Sequence, residues 1–257
     1  VGLLSAGLED WANGRQVLSG TRSFCPTAPP EPDAALLPAN ERRRSSNSVR
    51  WAVHVAQEAI LQSKLNPQNV ATVFASSGGE MDVLNSLCRA LATTDRVVSP
   101  TLFHQSVHNT AAGYWGIATS CQQSSTALSC YDDSCAAGLL EAVTYAAIEE
   151  CPVLFVAYDL PAPDPLNKAR LVTAAFATAL VLTAACSDRV PASMVVKMVS
   201  FHHGKTTEMS DADLEQLRLD NPSARLLPVL RALARRGRET IHMNLLDDQR
   251  LLVEVES

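Results

Sequence analysis

No two cysteines in this chain are spaced as CxxC, and the seven present, at 25, 88, 121, 130, 135, 151 and 186, leave an odd count. That pattern suits a reducing compartment better than a disulfide framework. No apolar run reaches the ~18 to 20 residues that crossing a bilayer demands. Leu171 to Ala185 is the most apolar stretch, and it is too short. The opening Val1-Gly2-Leu3-Leu4 lacks the charged n-region of a signal peptide, so the cytoplasm is the expected location. A basic excess is missing too. A formal net charge of -6 argues against nucleic acid, which demands a basic surface. Aromatics supply only 5% of the residues, so alanine, leucine and valine must build the core, a mixture suited to helices packed on a buried sheet. At 257 residues the chain can bury a full core, as one large domain or two small ones.

Strand and helix patterns alternate along the chain. Val1 to Ala6 reads as a first strand and Trp11 to Ser19 as a turn or short helix. Residues 24 to 40, with prolines at 26, 29, 30, 32 and 38, read as a long surface loop. Val49, Ala52, Val53, Ala56, Ala59 and Ile60 recur at helical spacing and predict a helix over Glu41 to Lys64, ended by Asn66-Pro67. Val70 to Ala75 is a strand, followed by Ser76-Ser77-Gly78-Gly79 and a helix from Glu80 to Leu91. Val107 to Ile117 reads as a small-residue helix entered through Phe103-His104-Gln105-Ser106. Ser125 to Cys130 reads as a short buried strand running into a helix that extends to about Glu150. Further strands are expected at Val153 to Tyr158, Thr178 to Thr183 and Met194 to Phe201, with a proline loop (161, 163, 165) after the first of them. Asp211 to Arg236 reads as polar, helical and peripheral. Ile241 to Leu245 and Arg250 to Glu254, joined through Asp247-Asp248, read as a closing hairpin. The alternation implies an α/β layered fold without internal repeats.

Cys130 is where chemistry is most readily placed. A cysteine at a strand-to-helix junction meets the helix's unpaired amides and dipole, which stabilise a thiolate. This is the geometry of a nucleophile elbow. A nucleophile also needs a base or an oxyanion stabiliser, and the downstream sequence offers no convincing set. The other clusters are weaker. His104 and His108 have the i,i+4 spacing of zinc ligands but no third ligand, so no metal is expected. His202 and His203 would point to opposite faces of a strand and cannot both aim at one thioester. Gly78-Gly79 lacks the glycine pattern and the lysine of a phosphate loop, and no cofactor is expected. Asp132 and Asp133 read as helix-start chemistry. Arg42-Arg43-Arg44, with Arg50 nearby, is a short basic cluster: a solvated helix start, or else a surface for an anionic partner or phosphate.

Several of these elements together resemble one family. Asn109-Thr110-Ala111-Ala112-Gly113 resembles the Asn-x-Ala-Ala-Gly that opens a helix in β-ketoacyl synthases, ahead of their Thr-Ala-Cys nucleophile. Leu128-Ser129-Cys130 stands in that nucleophile's place, and Gly138 follows Cys130 by eight residues, as the family's helix glycine does. Ser77-Gly78-Gly79 is similar to the family's Gly-Gly turn, and Ala175 to Leu182 to the strand that ends the first half of a ketosynthase. The match covers about residues 1 to 205. Past it, the histidines with which a ketosynthase binds and decarboxylates its extender have no counterpart. The nearer resemblance is to the shortened, ketosynthase-like chain length factors of aryl polyene gene clusters. It is carried by Phe103-His104-x-Ser106-Val107-His108-Asn109, Gly113-Tyr114-Trp115 and Glu41-Arg42-Arg43-Arg44.

That resemblance implies about one half of a thiolase-like α/β fold, a mixed sheet flanked by helices with a C-terminal closing hairpin. Residues 1 to 257 would form one domain, ketosynthase-like over 1 to 205 and family-specific over 206 to 257. It also implies a non-catalytic chain length factor that pairs with an active ketosynthase as a heterodimer and shapes the acyl tunnel in polyketide or aryl polyene synthesis. An acyl carrier protein would be the second partner. The tunnel wall falls to Ser77, Met81 and Leu84. The strand Ser125, Thr126, Ala127, Leu128 and Ser129 falls on the two-fold interface, and Arg42, Arg43, Arg44 and Arg50 face the carrier protein. Cys130 becomes a vestigial nucleophile position. Asp132 and Asp133 stand where active ketosynthases carry small neutral residues, and two carboxylates in one helical turn disfavour a thiolate. Two readings from other classes stand beside this one. One is an acyltransferase or thioesterase using Cys130 with His104 or His108 as base; the other is a carrier-protein docking module without a tunnel.

Overall fold

The computed structural model describes residues 1–184, 190–200, 202, 204–246 and 248–257. In chain order the first half runs β1 (Gly2–Ser5), α1 (Trp11–Ser19), α2 (Ala39–Arg44), α3 (Asn47–Ser63), β2 (Ala71–Ala75), α4 (Met81–Leu91), α5 (Pro100–Gln105) and α6 (Thr110–Thr119). The second runs β3 (Ser125–Leu128), α7 (Ser134–Ile148), β4 (Val153–Asp159), α8 (Leu166–Ala169), β5 (Phe176–Leu182), β6 (Ser193–Ser200), α9 (Ala212–Asp220), α10 (Leu227–Ala234), β7 (Arg238–Leu245) and β8 (Gln249–Glu256).

The central sheet has five strands in the order β1-β5-β4-β2-β3. β2 runs parallel to both β3 and β4, whereas β5 is antiparallel to β4 and β1, so the sheet is mixed. β2 and β4 are buried along their whole length, which requires apolar side chains on both faces. Period-two alternation sorts them. Val73, Ala75, Phe155 and Ala157 join the core shared with α7 and the C-terminal elements, whereas Phe74, Leu154, Val156 and Tyr158 join the core shared with α3 and α6. Each fully buried phenylalanine contributes on the order of 1.5–3 kcal/mol. Gly138 explains how closely α7 lies on the sheet: a Cβ there would sit 2.7 Å from Ala75 Cβ and 2.7 Å from Phe155 Cε2. A second, three-stranded antiparallel sheet, β6-β8-β7, completes the chain with the expected hairpin.

Several expectations need correction. The single helix over Glu41 to Lys64 is two, because Ser46 leaves the helical path and its Oγ accepts the Val49 amide as the N-cap of α3. The helix expected at Val107 to Ile117 begins at Thr110, preceded by the separate short α5. Residues 125–130 are not a buried strand. β3 stops at Leu128 and is partly exposed, because it is the edge of its sheet. Asp211 to Arg236 is not peripheral: Leu226, Leu227, Val229 and Leu230 are fully buried against the core that holds α7. Their charged neighbours give the segment its polar composition while the apolar residues turn inward. β6 ends at Ser200, and Cys186, Phe201, His203 and Asp247 lie outside the described residues.

Candidate functional site

β3 delivers Ser129 and Cys130 to the end of the sheet, beside the Ser76–Gly79 turn that leaves β2. The Ser76 amide donates to Leu128 O (3.3 Å), and Ser129 Oγ donates to Ser77 O (3.2 Å). Cys130 is half-buried and caps one 3-10 turn, Tyr131–Asp133, that precedes α7. Its amide donates to Ser134 Oγ (2.9 Å), which donates to Tyr131 O (2.6 Å). Tyr131 sits at φ +53°, the left-handed region that costs a side-chain-bearing residue energy. The Arg170 guanidinium lies 3.8 Å from the centre of its exposed ring.

Asp133 stands at the N-cap position of α7, but its side chain makes no capping hydrogen bond. Asp132 pairs with Arg170 (2.7 Å) and Arg225 (2.9 Å), and Asp133 pairs with Arg225 (3.2 Å) and accepts the Leu246 amide (3.1 Å). Burial pushes the Asp133 carboxyl upward, with Arg225 acting against it. Two arginines therefore balance two carboxylates, and the expectation that Asp132 and Asp133 confront Cys130 with uncompensated negative charge does not hold. Solvent still reaches these partly buried pairs, and fully exposed ones are worth only about 0–1 kcal/mol each. Their effect is to tie the elbow to the segment after α8 and to the segment before α10. Arg170 and Arg225 carry no local motif, and the sequence reading missed both.

A second cluster holds the Ser76–Gly79 turn. Asp159, the last residue of β4, is 4% exposed. Its Oδ1 accepts from Ser76 Oγ (3.1 Å), Ser77 N (2.8 Å), Ser77 Oγ (2.7 Å) and Gly78 N (3.4 Å). Its Oδ2 accepts from Ser223 Oγ (2.6 Å), and its carbonyl from Asn221 Nδ2 (2.9 Å). Burial raises this carboxyl's pKa, and the hydroxyls of Ser223, Ser77 and Ser76 act against the rise. Gly79 completes the turn at φ +61°, where only glycine is free of strain, and packs on the His108 ring. His108 Nε2 lies 3.1 Å from Ser76 O. His104 is on α5 and exposed, so the two histidines do not share a helix.

The turn launches α4, whose Val83 and Leu87 face inward. Met81 is half-buried, while Leu84 (43% exposed) and Leu91 (54%) face solvent. Phe103 (68%), Val107 and Ile117 on neighbouring segments are exposed as well. Single exposed apolar residues are ordinary, whereas a contiguous apolar patch marks a surface that a partner covers. Ser77, expected at the tunnel wall, has its hydroxyl committed to Asp159. Arg42, Arg43 and Arg44 lie on α2. Arg50 is spent on the end of that helix, donating to Arg42 O (3.1 Å) and Ser45 Oγ (3.2 Å). Cavities of ≈ 180 Å³ and ≈ 250 Å³ adjoin the elbow and share Asp132. Cys135 borders the first, but burial pushes its thiol up to about 12, so it stays protonated.

Glu80 gives this region a pH response. It is 5% exposed, and among the described residues neither carboxyl oxygen has a hydrogen-bond partner of normal geometry, the Ser46 hydroxyl being nearby but poorly placed. Burial pushes its pKa from 4.5 up to about 7, with the Ser46 hydroxyl opposing the rise and Asp82 adding to it. Between these values the folded chain holds a proton that the unfolded chain releases. The stability that Glu80 contributes therefore falls as pH rises from 4.5 to about 7 and levels off above, a loss on the order of 3 kcal/mol from this group. Glu80→Gln should match the parent near pH 4.5 and exceed it by about 1–3 kcal/mol at pH 8. Urea denaturation at the two pH values checks this; equal stability changes at both would contradict it.

The family model for the beta-ketoacyl synthase N-terminal domain matches residues 11–243. Among solved structures, the chain is similar to one from the ketosynthase ApeO in complex with its chain length factor ApeC from Xenorhabdus doucetiae. The identity is 22% and the TM-score 0.72, over 100% of this chain and 96% of that one. It is also similar to the ishigamide ketosynthase/chain length factor (13% identity, TM-score 0.67, 99% and 98% covered). A third similar structure is AntDE:AntF, a type II PKS acyl-carrier protein in complex with its ketosynthase (12%, 0.71, 99% and 97%). These likenesses establish the thiolase-like ketosynthase fold. Comparison with curated proteins gave no match. Among the described residues, no helix is long and apolar enough to cross a membrane.

Proposed function

Because the chain belongs to the β-ketoacyl synthase N-terminal domain family, we propose that it is the non-catalytic partner of an active ketosynthase and sets the length of the acyl chain made there. The system would be a type II polyketide or aryl polyene synthase working in the cytoplasm. The observations that carry this reading are the apolar stripe on α4, which faces solvent, and the strand β3, which is paired on one side only. A second subunit would cover the stripe and pair with the strand. Met81 and Leu84 would then stand at the joint between subunits, where a side chain ends a tunnel by its bulk. Ser77 supports the wall from beneath.

Two of the structures the chain resembles pair a ketosynthase with a chain length factor, and a third is an acyl-carrier protein in complex with its ketosynthase. The same assembly is proposed here. Arg42, Arg43 and Arg44 on α2 would face the carrier protein's acidic surface, with Arg50 bracing the helix from behind, and that contact should weaken with salt. Cys130 would be a structural remnant. Its candidate bases are poorly placed to serve it: His108 is engaged with Ser76 O, and His104 points into solvent at the end of α5. Residues 1–257 would act as one unit, since Asn221 and Ser223 of the C-terminal region bond directly to Asp159. The test is co-expression with a candidate ketosynthase from the same source. A one-to-one complex by light scattering is expected; two proteins that elute separately at all concentrations would contradict the reading.

A further inference from the structure

α4 has no side-chain cap at its N-terminus, and the bond that closes the turn before it, from the Gly79 amide to Ser76 Oγ (2.8 Å), depends on where the Ser76 hydroxyl is held. Gly78 and Gly79 lie just before it, and two adjacent glycines leave a turn many conformations. What holds this turn is remote. Four donors on Ser76, Ser77 and Gly78 converge on one oxygen of Asp159, from the end of β4. The other oxygen is fixed by Ser223, just before α10. Hydrogen bonds that converge on one carboxyl group in a dry site are stronger and more directional than the same bonds in water.

We infer that Asp159 is a positioning residue for product length: through the Ser76–Gly78 turn it sets where Met81 and Leu84 stand, and Ser223 holds it in register. This rests on the chain-length reading above. It also gives the C-terminal region a role at the site, because the hydroxyl that orients Asp159 comes from residue 223. Replacing one of the two acceptor oxygens with an amide NH2 should let the start of α4 shift without unfolding the sheet, since β4 remains paired with β2 and β5.

The experiment uses the complex with its ketosynthase and compares Asp159→Asn, Ser223→Ala, Met81→Trp and Leu230→Ala. Amide exchange over residues 77–84 should speed up about tenfold in Asp159→Asn, and the products should spread to neighbouring lengths on both sides. Ser223→Ala, which removes one hydroxyl and keeps the carboxylate, should move both readouts the same way by less, and it stands in if the Asn variant fails to fold. Leu230→Ala, a cavity remote from the turn, should lower stability and leave product length unchanged, which separates positioning from general weakening. If Met81→Trp shortens the product while Asp159→Asn and Ser223→Ala leave exchange and lengths as in the parent, the inference is overturned. If Met81→Trp also leaves product length unaltered, the chain-length reading has failed and the inference falls with it.

Discussion

Ala127→Pro should leave the chain folded and abolish its association with the ketosynthase. The register of β3 makes this variant selective. Ser124 O and Leu128 O accept amides from β2, at Thr72 and Ser76. Backbone groups alternate sides along a strand, so those of Ser125 and Ala127 point away from β2, toward the free edge. Proline at 127 removes an outward amide and sets a ring on the edge without breaking a bond to β2, which is where sheets tolerate it. The affinity between subunits should fall by roughly 100-fold or more, about 3 kcal/mol, while the circular dichroism of the isolated chain stays parental. Size-exclusion chromatography of the co-expressed pair reads the result. An intact complex would show that the partner does not pair at β3.

Met81→Trp should shorten the product by at least one extension unit, and Met81→Ala should lengthen it or blur its distribution. Met81 is the first residue of α4 and is half-buried, on the side of the helix that turns outward with Leu84. A flexible thioether there fills space without fixing it, whereas an indole would occupy the end of a tunnel rigidly. Chain growth would then stop by overlap. Mass spectrometry of products from the reconstituted complex gives the answer directly. Identical lengths from Met81→Trp, Met81→Ala and the parent would remove α4 from the wall.

The fold was legible wherever neighbours in sequence are neighbours in function. The apolar runs of β2 and β4, the small residues of α7 with Gly138 against Ala75 and Phe155, and the closing hairpin all leave local patterns. The site was legible at Cys130 and at the Ser76–Gly79 turn, but not in what holds them. Arg170 and Arg225 reach Asp132 from 38 and 93 residues away, and Ser223 reaches Asp159 from 64. Such bonds carry no periodicity. Asp159 falls just past the strand read at Val153 to Tyr158, Arg170 in the stretch after a proline loop, and Ser223 within a polar helical segment. The aspartates after Cys130 were read by the nearest available rule, helix-start chemistry, because their true partners cannot be found from spacing. The same blindness made residues 211–236 look peripheral, although Leu226, Leu227, Val229 and Leu230 close the core.

Product formation by the complex carrying Cys130→Ala tests the central claim most directly. With Asp132 and Asp133 neutralised by Arg170 and Arg225, their charge no longer decides whether the thiol reacts, so the experiment must. If Cys130 is packing alone, alanine costs about 1 kcal/mol of stability, the complex assembles, and its output stays within a few-fold of the parent with product length unchanged. An assembled Cys130→Ala complex whose turnover falls by orders of magnitude would mean that this chain carries the acyl group itself, and the account of a non-catalytic partner would be wrong.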